Sequence, residues 1–216
     1  MWKANCRDKD LATADATLRE IPLRTGYVLE RWKHGVDVEL PKIEGNFNVE
    51  KLRTICLFEA DHNMNNKYIG KTAIAHAEFQ KRIAHEQYGS RKSRRATEVS
   101  LNNRLTDDLM RLNGQRGAIC SNDAKSCYDR ISHIALSLAL QSQGVPAKVV
   151  EGMLKTIQQM NHSIKTAFGI SKISYCSDRR GLPLQGMPQG HGAAPTGWAL
   201  LSSPLIDAMR SIGFGF

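Results

Sequence analysis

The stretch NDAKSCYDRI, residues 122–131, sets Asp123 and Asp129 six positions apart around Tyr128. It follows RGAICS (116–121), short, small and apolar, which reads as a buried strand presenting Asp123 at a sheet edge. A helix is expected to start near Ser132, with Ile131, Ile134, Ala135 and Leu138 as its buried face. A carboxylate at a strand end suits a divalent cation, because the strand fixes its position while its oxygens project into a cleft. The alternative for Asp123 is a helix cap, in which the same oxygens accept from free backbone N–H groups. Capping is the expected role for Asp129, three residues before Ser132. Tyr128 fits two uses, as a flat ring beneath a nucleotide sugar or as core packing with its hydroxyl satisfied.

Working outward, 216 residues hold one large domain or two small ones, with enough apolar content to bury a core. Thirty Lys and Arg against 21 Asp and Glu leave a formal charge of +9. Such an excess favours phosphate-bearing partners over acidic proteins, although it also serves solubility alone. Five cysteines are scattered with no Cys-x-x-Cys pair, so neither a zinc ribbon nor a thioredoxin-type redox site is indicated. A reducing compartment follows from that usage. The amino terminus carries charges throughout and no stretch approaches bilayer length, so a soluble intracellular protein without a membrane partner is expected.

Residues 67–95 form the basic half of the chain. KYIGKTAIAHAEFQKRIAHEQYG (67–89) spaces Ile69, Ala73, Ala77 and Ile83 near helical period and stops at Gly89, predicting a helix followed by the exposed basic loop SRKSRR. Next, LNNRLTDDLMRL places Leu101, Leu105, Leu109 and Leu112 on one stripe, a helix whose outer face carries Asp107 and Asp108. Consecutive helical side chains diverge by about 100°, so this acidic pair reads as a solvated face rather than a metal site. Beyond the break at GVP (144–146), a second amphipathic helix is built on Val149, Val150, Met153, Leu154, Ile157 and Met160. Alternation in HSIKTAFGISKISYCS, through Ile164, Thr166, Phe168, Ile173 and Tyr175, predicts a hairpin around Gly169.

The second constellation is GMPQGHGAAPTGW (186–198). Gly186, Gly190 and Gly192 let backbone approach a ligand closely, Gln189 offers a donor and an acceptor, and a helix starts near Pro195 and runs through Trp198, Leu201, Leu205 and Met209. Taken singly, these glycines equally serve a tight turn.

In combination the blocks are more specific. A strand-end Asp123 with Tyr128 five and Asp129 six residues later, then Gly-x-x-Gln-Gly-x-x-x-Ala-Pro some sixty residues on, resembles the reverse transcriptase family of retroelement and group II intron RNA-directed DNA polymerases. VDVELPKIEGNFNVEKLRTICLFEADHNMNNK (36–67) looks like that family's fingers segment, with Arg53, Thr54 and Ile55 at an Arg-Pro-Ile-like tripeptide. EQYGSRKSRRATE (86–98) resembles its Gln-x-Gly-Phe-Arg block. The resemblance covers roughly residues 20–216. The family usually carries Pro where Thr54 stands and often Phe at Tyr128 or Tyr88.

The resemblance implies an α+β fold, a right-hand polymerase's fingers and incomplete palm, with helices packed on a small, mainly antiparallel sheet. It implies an extension at 1–19, fingers at 20–115 and a partial palm at 116–216. Asp123 would be catalytic and ligate magnesium with help from the Ala124 carbonyl. Tyr128 would screen against a ribose 2′-hydroxyl. Gln189 and Gly190 would contact nucleotide and template. Arg53, with Lys42 or Lys51, would grip the triphosphate, and Arg91, Lys92, Arg94 and Arg95 the nucleic-acid backbone. Two Mg2+ ions, or Mn2+, would be the cofactors, with an RNA template, a DNA or RNA primer and deoxynucleoside triphosphates as partners. The family's third palm motif, an aromatic-x-Asp-Asp turn, does not occur up to Phe216. The expectation is therefore a fragment unable to extend a primer alone. The competing readings are a nucleic-acid-binding remnant without catalysis and a maturase-like RNA-binding protein.

Overall fold

The computed structural model describes residues 8–46, 48–118, 123–177 and 181–213. Among them, six α-helices and four strands form an α+β fold. Helix α1 (Lys9–Thr25) opens on Asp8, whose side chain accepts from the Asp10 and Leu11 amides, and closes on Gly26 at φ 72°. Strands β1 (His34–Pro41) and β2 (Leu52–Leu57) form an antiparallel hairpin, followed by α2 (Ala60–Phe79) and α3 (Ala96–Leu112). Helices α4 (His133–Ser142) and α5 (Ala147–Gln158) lead into β3 (Asn161–Thr166) and β4 (Gly169–Tyr175), and α6 (Ala194–Ser211) ends the fold.

The sheet runs β2-β1-β3-β4, with β1 parallel to β3 and the other two pairings antiparallel. Strands from residues 34–57 and from 161–175 therefore share one sheet, and α1 crosses position 19. The helical core is apolar: Leu136, Leu140, Val150, Met153, Met187 and Leu200 interlock with Ala73, Ala77 and Ile83. Burying a side chain of this size stabilises by about 1.5–3 kcal/mol. The sheet differs. Gly35, Asp37, Cys56 and His162 face inward, while Val36 and Val38 are half-exposed.

Several expectations are corrected. Helix α2 stops at Phe79, not Gly89: Lys81 turns to φ 55°, and the Arg82 amide reaches back to the Ala77 carbonyl. This reversal still delivers Ile83 and Ala84 to the core. In α4 the inward side chains are Leu136 and Leu140, whereas Ile134 is 77% and Leu138 66% exposed. HIALSLALQS carries apolar residues all round, so periodicity alone does not choose a face. Residues 116–118 and Asp123 lie in irregular chain rather than a strand, and 119–122 lie outside the described residues. Asp129 does not cap α4; Ser132 holds the N-cap position, without a side-chain bond. Phe168 sits fully exposed in the hairpin turn rather than in a strand. The leucine stripe of α3 forms a helix as expected, but Leu101, Leu105, Leu109 and Leu112 are all exposed and no residue of α3 is buried. Asp107 and Asp108 pair with Arg111 and Arg104 on that helix, as a solvated face should.

Candidate active site

Three separated segments converge beside β2. The first is the glycine-rich loop 186–192. Gly186 adopts φ 85° and packs on the Asp129 backbone so closely that a Cβ there would fall 2.4 Å from the Asp129 carbonyl oxygen. Gly190, at φ 112°, lies against Cys56, where a Cβ would come within 2.2 Å of the carbonyl oxygen. Glycine is required at both, for conformation and for space. The loop is also bonded into place. The Met187 amide donates to the Tyr128 carbonyl at 2.9 Å, and the Cys56 amide donates to the Gln189 carbonyl at 2.8 Å. Asn63 of α2 clamps the far side, donating from Nδ2 to the Gly190 carbonyl and accepting from the Gly192 amide.

The second segment is the turn Tyr128–Arg130. Tyr128 is half-buried against the helical core, and burial, with Cys127 beside it, raises its phenol pKa. The chain around Asp129 desolvates its carboxyl and raises its pKa, opposed by the charge of Lys42. That pull places Lys42, and with it the third segment, near the turn. At the loop end of the β1–β2 hairpin the Lys42 amide donates to the Lys51 carbonyl at 3.0 Å, and Arg53 follows on β2, exposed, opposite Leu40. The hairpin thus gathers Lys42, Lys51 and Arg53 at one end.

Asp123 and Ala124 are both exposed, five and four residues before Tyr128. A carboxylate and a backbone carbonyl are hard oxygen donors of the kind magnesium prefers. Among the described residues no group of three ligating side chains includes Asp123.

The basic loop divides. Arg91 is turned inward: its Nε donates to Glu78 at 2.7 Å, and Nη1 reaches the carbonyls of Ala84, His85 and Gln87. Its job is to hold the 80–90 turn. Lys92 and Arg95 point outward, and Arg94 lies over the Tyr88 ring at 5.1 Å.

Sequence reasoning missed the residues that support the loop. His133 Nε2 donates to the Gly186 carbonyl at 2.7 Å, and its Nδ1 accepts from Gln158 at 2.9 Å, which sets the tautomer. Beneath the loop, His62 and His191 meet edge to face at 6.2 Å, with Phe58 beside both. Burial lowers His62 to about 4, despite Asp61, and lowers His191 to about 3. Their signal was weak: one histidine in DHNMNNK, one in QGHG.

A family model described as reverse transcriptase (RNA-dependent DNA polymerase) matches residues 40–213. No curated protein matches the chain by sequence. None of the described helices is long and apolar enough to cross a membrane. The matched span runs from the end of β1 through the Tyr128 turn and the Gln189 loop to the residues just after α6, and the chain therefore belongs to the reverse transcriptase family.

Proposed function

We propose that this chain carries the nucleotide-binding half of a template-directed nucleotidyl-transfer site, comprising fingers and part of a palm. The observation that supports it best is the convergence just described: the Lys42–Lys51–Arg53 hairpin end, the Tyr128 turn and the Gln189–Gly190 loop meet, although up to 148 positions separate them in sequence. In this reading the hairpin cations neutralise the triphosphate, whose charge spreads over its oxygens as the bond to pyrophosphate lengthens. Tyr128 supports the sugar and limits space at the 2′ position. Gln189 and Gly190 meet base and template from a loop held rigid by Asn63 and His133. Asp123 and the Ala124 carbonyl would hold magnesium, which when bound supplies a Lewis acid for the attacking primer hydroxyl and the departing phosphate oxygen. Lys92, Arg94 and Arg95 would follow the RNA backbone.

Deoxynucleotide binding by the 216-residue chain, measured with a fluorescent triphosphate, checks this reading. Arg53→Ala together with Lys42→Ala should weaken binding at least roughly tenfold, as lost charge-assisted contacts do, while Lys165→Ala should not. Equal binding by all variants would reject it. The aromatic-x-Asp-Asp turn is not in the sequence, and we propose that the chain alone does not extend a primer on RNA; extension by the purified protein would overturn that part. The second reading, nucleic-acid binding without catalysis, draws on Asp123 belonging to no group of three ligating side chains among the described residues. It is separated by a steep fall of RNA affinity with salt that persists in Asp123→Asn, with no magnesium-dependent nucleotide binding.

A further inference from the structure

On its inward face the sheet carries a second cluster of ligating atoms that the polymerase reading does not use. Asp37 of β1 and Cys56 of β2 are direct cross-strand partners, and His162 of β3 sits opposite Tyr175 of β4. Each strand thus contributes one heteroatom-bearing side chain to one spot. His162 Nδ1 lies 3.1 and 3.3 Å from the two Asp37 oxygens and 3.9 Å from Cys56 Sγ, and all three ligand atoms fall within 4.8 Å of one another. Asp37, Cys56 and His162 are 2–3% exposed. Tyr175 donates to Asp37 Oδ2 at 2.5 Å and stacks on His162 at 5.2 Å. Met160 Sδ borders the group: a Cβ on Gly35 would meet it at 2.9 Å, Cys56 Sγ at 3.0 Å and His162 Nδ1 at 3.4 Å.

We propose that Asp37, Cys56 and His162 bind one Zn2+ ion, which ties strands β1, β2 and β3 together behind the Gln189–Gly190 loop. The donor set is one thiolate, one imidazole and one carboxylate, all donor types that zinc binds, and these three protein ligands leave the fourth tetrahedral position to another donor. Zinc distances of about 2.3 Å to sulfur and about 2.0–2.1 Å to nitrogen and oxygen place tetrahedral ligand atoms roughly 3.3–3.6 Å apart. His162 Nδ1 stands 3.1 Å from Asp37 and 3.9 Å from Cys56 Sγ, with all three atoms within 4.8 Å of one another, so the ion draws the thiolate inward to reach that spacing. Charge also balances. On binding, Cys56 releases its thiol proton to solvent, His162 offers the Nδ1 lone pair with its proton on Nε2, and thiolate plus carboxylate cancel the dication. A neutral buried site avoids the large cost of an unpaired interior charge. The location gives the ion a purpose, since Cys56 is the residue whose amide and carbonyl meet Gln189 and Gly190.

Metal content provides a test that needs no polymerase assay, so its failure and that of the nucleotide reading are separate. The full 216-residue chain, stripped with EDTA and reloaded, should retain one equivalent of Zn2+. Cys56→Ser and His162→Ala should each weaken retention by at least roughly a hundredfold, while Cys127→Ser and Cys176→Ser, at the other free cysteines among the described residues, should not change it. Co2+ as a substitute should give intense tetrahedral visible bands and a thiolate charge-transfer band that Cys56→Ser abolishes. Should that variant fail to fold, the wild-type cobalt spectrum decides alone: weak octahedral bands without a thiolate band overturn the proposal. Retention below one-tenth of an equivalent, or retention unaffected by Cys56→Ser and His162→Ala, overturns it as well.

Discussion

The helical layer and the sheet bury their inward faces by opposite means. Leu136, Leu140, Val150 and Met153 fill the space between α4, α5 and α6 with hydrocarbon, whereas β1, β2 and β3 turn Asp37, Cys56 and His162 inward and leave Val36 and Val38 half-exposed. An apolar face is stabilised by burial alone and tolerates volume-conserving change. A buried polar face is stable only when its groups find partners, and so it specifies geometry more than it supplies energy. The difference suits a division of labour: helices hold the molecule together, and the sheet positions the loop and hairpin that carry the candidate site.

The largest expected effect tests the helical side. Leu136 has no exposed surface and touches Gly197, where an added Cβ would lie 2.9 Å from its Cδ1. Leu136→Ala should cost about 2–5 kcal/mol through lost transfer energy and the residual cavity. Denaturant unfolding measures this directly. A loss below about 1 kcal/mol would mean that the helical layer is not the main source of stability, and the contrast would break.

How much of this was legible in the sequence follows from the same contrast. Helices α5 and α6 and the β3–β4 hairpin were readable because their patterns match the period of the element, and the loop glycines because a positive φ and a close backbone approach demand that residue. The orientation of α4 was not, because its apolar residues surround the helix. The Asp37–Cys56–His162 group was not either: its members lie at positions 37, 56 and 162, and only the strand register brings them together. The early end of α2 depends on Arg91 reaching Glu78 and three carbonyls, a tertiary contact that local pattern does not encode. For the candidate site, residue types were visible in the sequence, and their convergence was not.

A second prediction probes the junction between the two layers, where His62 and His191 sit with Phe58. Burial depresses both pKa values, to about 4 and about 3, below the ordinary histidine value near 6.5. The unfolded chain therefore takes up protons first as pH falls. Stability should be full above about 6.5 and decline below it, by on the order of 2 kcal/mol per histidine at pH 5. Asp61 is the nearby charge opposing this for His62, and His62 and then His133 add to it for His191. Unfolding midpoints at pH 7 and pH 5 should differ accordingly, and His191→Gln should remove about half of the difference. An equal pH slope in that variant would show that the junction is more open to water than its packing indicates.

A third, smaller effect concerns Arg91. Its ion pair with Glu78 and its bonds to the Ala84, His85 and Gln87 carbonyls hold the turn that returns Ile83 to the core. Arg91→Ala should cost about 1–3 kcal/mol, as loss of a charged partner to buried acceptors does. Lys92→Ala should leave stability within about 0.5 kcal/mol but reduce the salt slope of RNA binding by about 1. Thermal unfolding and salt titration separate the two residues. The reverse assignment would place Arg91 at the nucleic-acid surface and Lys92 in the fold.

The smallest effect is expected on α3, which belongs to neither layer. Its leucines share a stripe at helical spacing, yet Leu101, Leu105, Leu109 and Leu112 are 51–82% exposed. The helix is held instead by local features: the Glu98 side chain accepts from the Arg95 amide, Arg104 and Arg111 pair with Asp108 and Asp107, and the Asn102 side chain donates to the Tyr88 hydroxyl. A half-exposed leucine gains little from burial, and surface replacement of this kind usually changes stability by less than about 0.5 kcal/mol. Leu105→Gln and Leu109→Gln should therefore leave the unfolding midpoint almost unmoved while raising solubility. A loss of 2 kcal/mol or more from either would mean that the stripe is covered in solution, and α3 would join the helical layer that Leu136 defines.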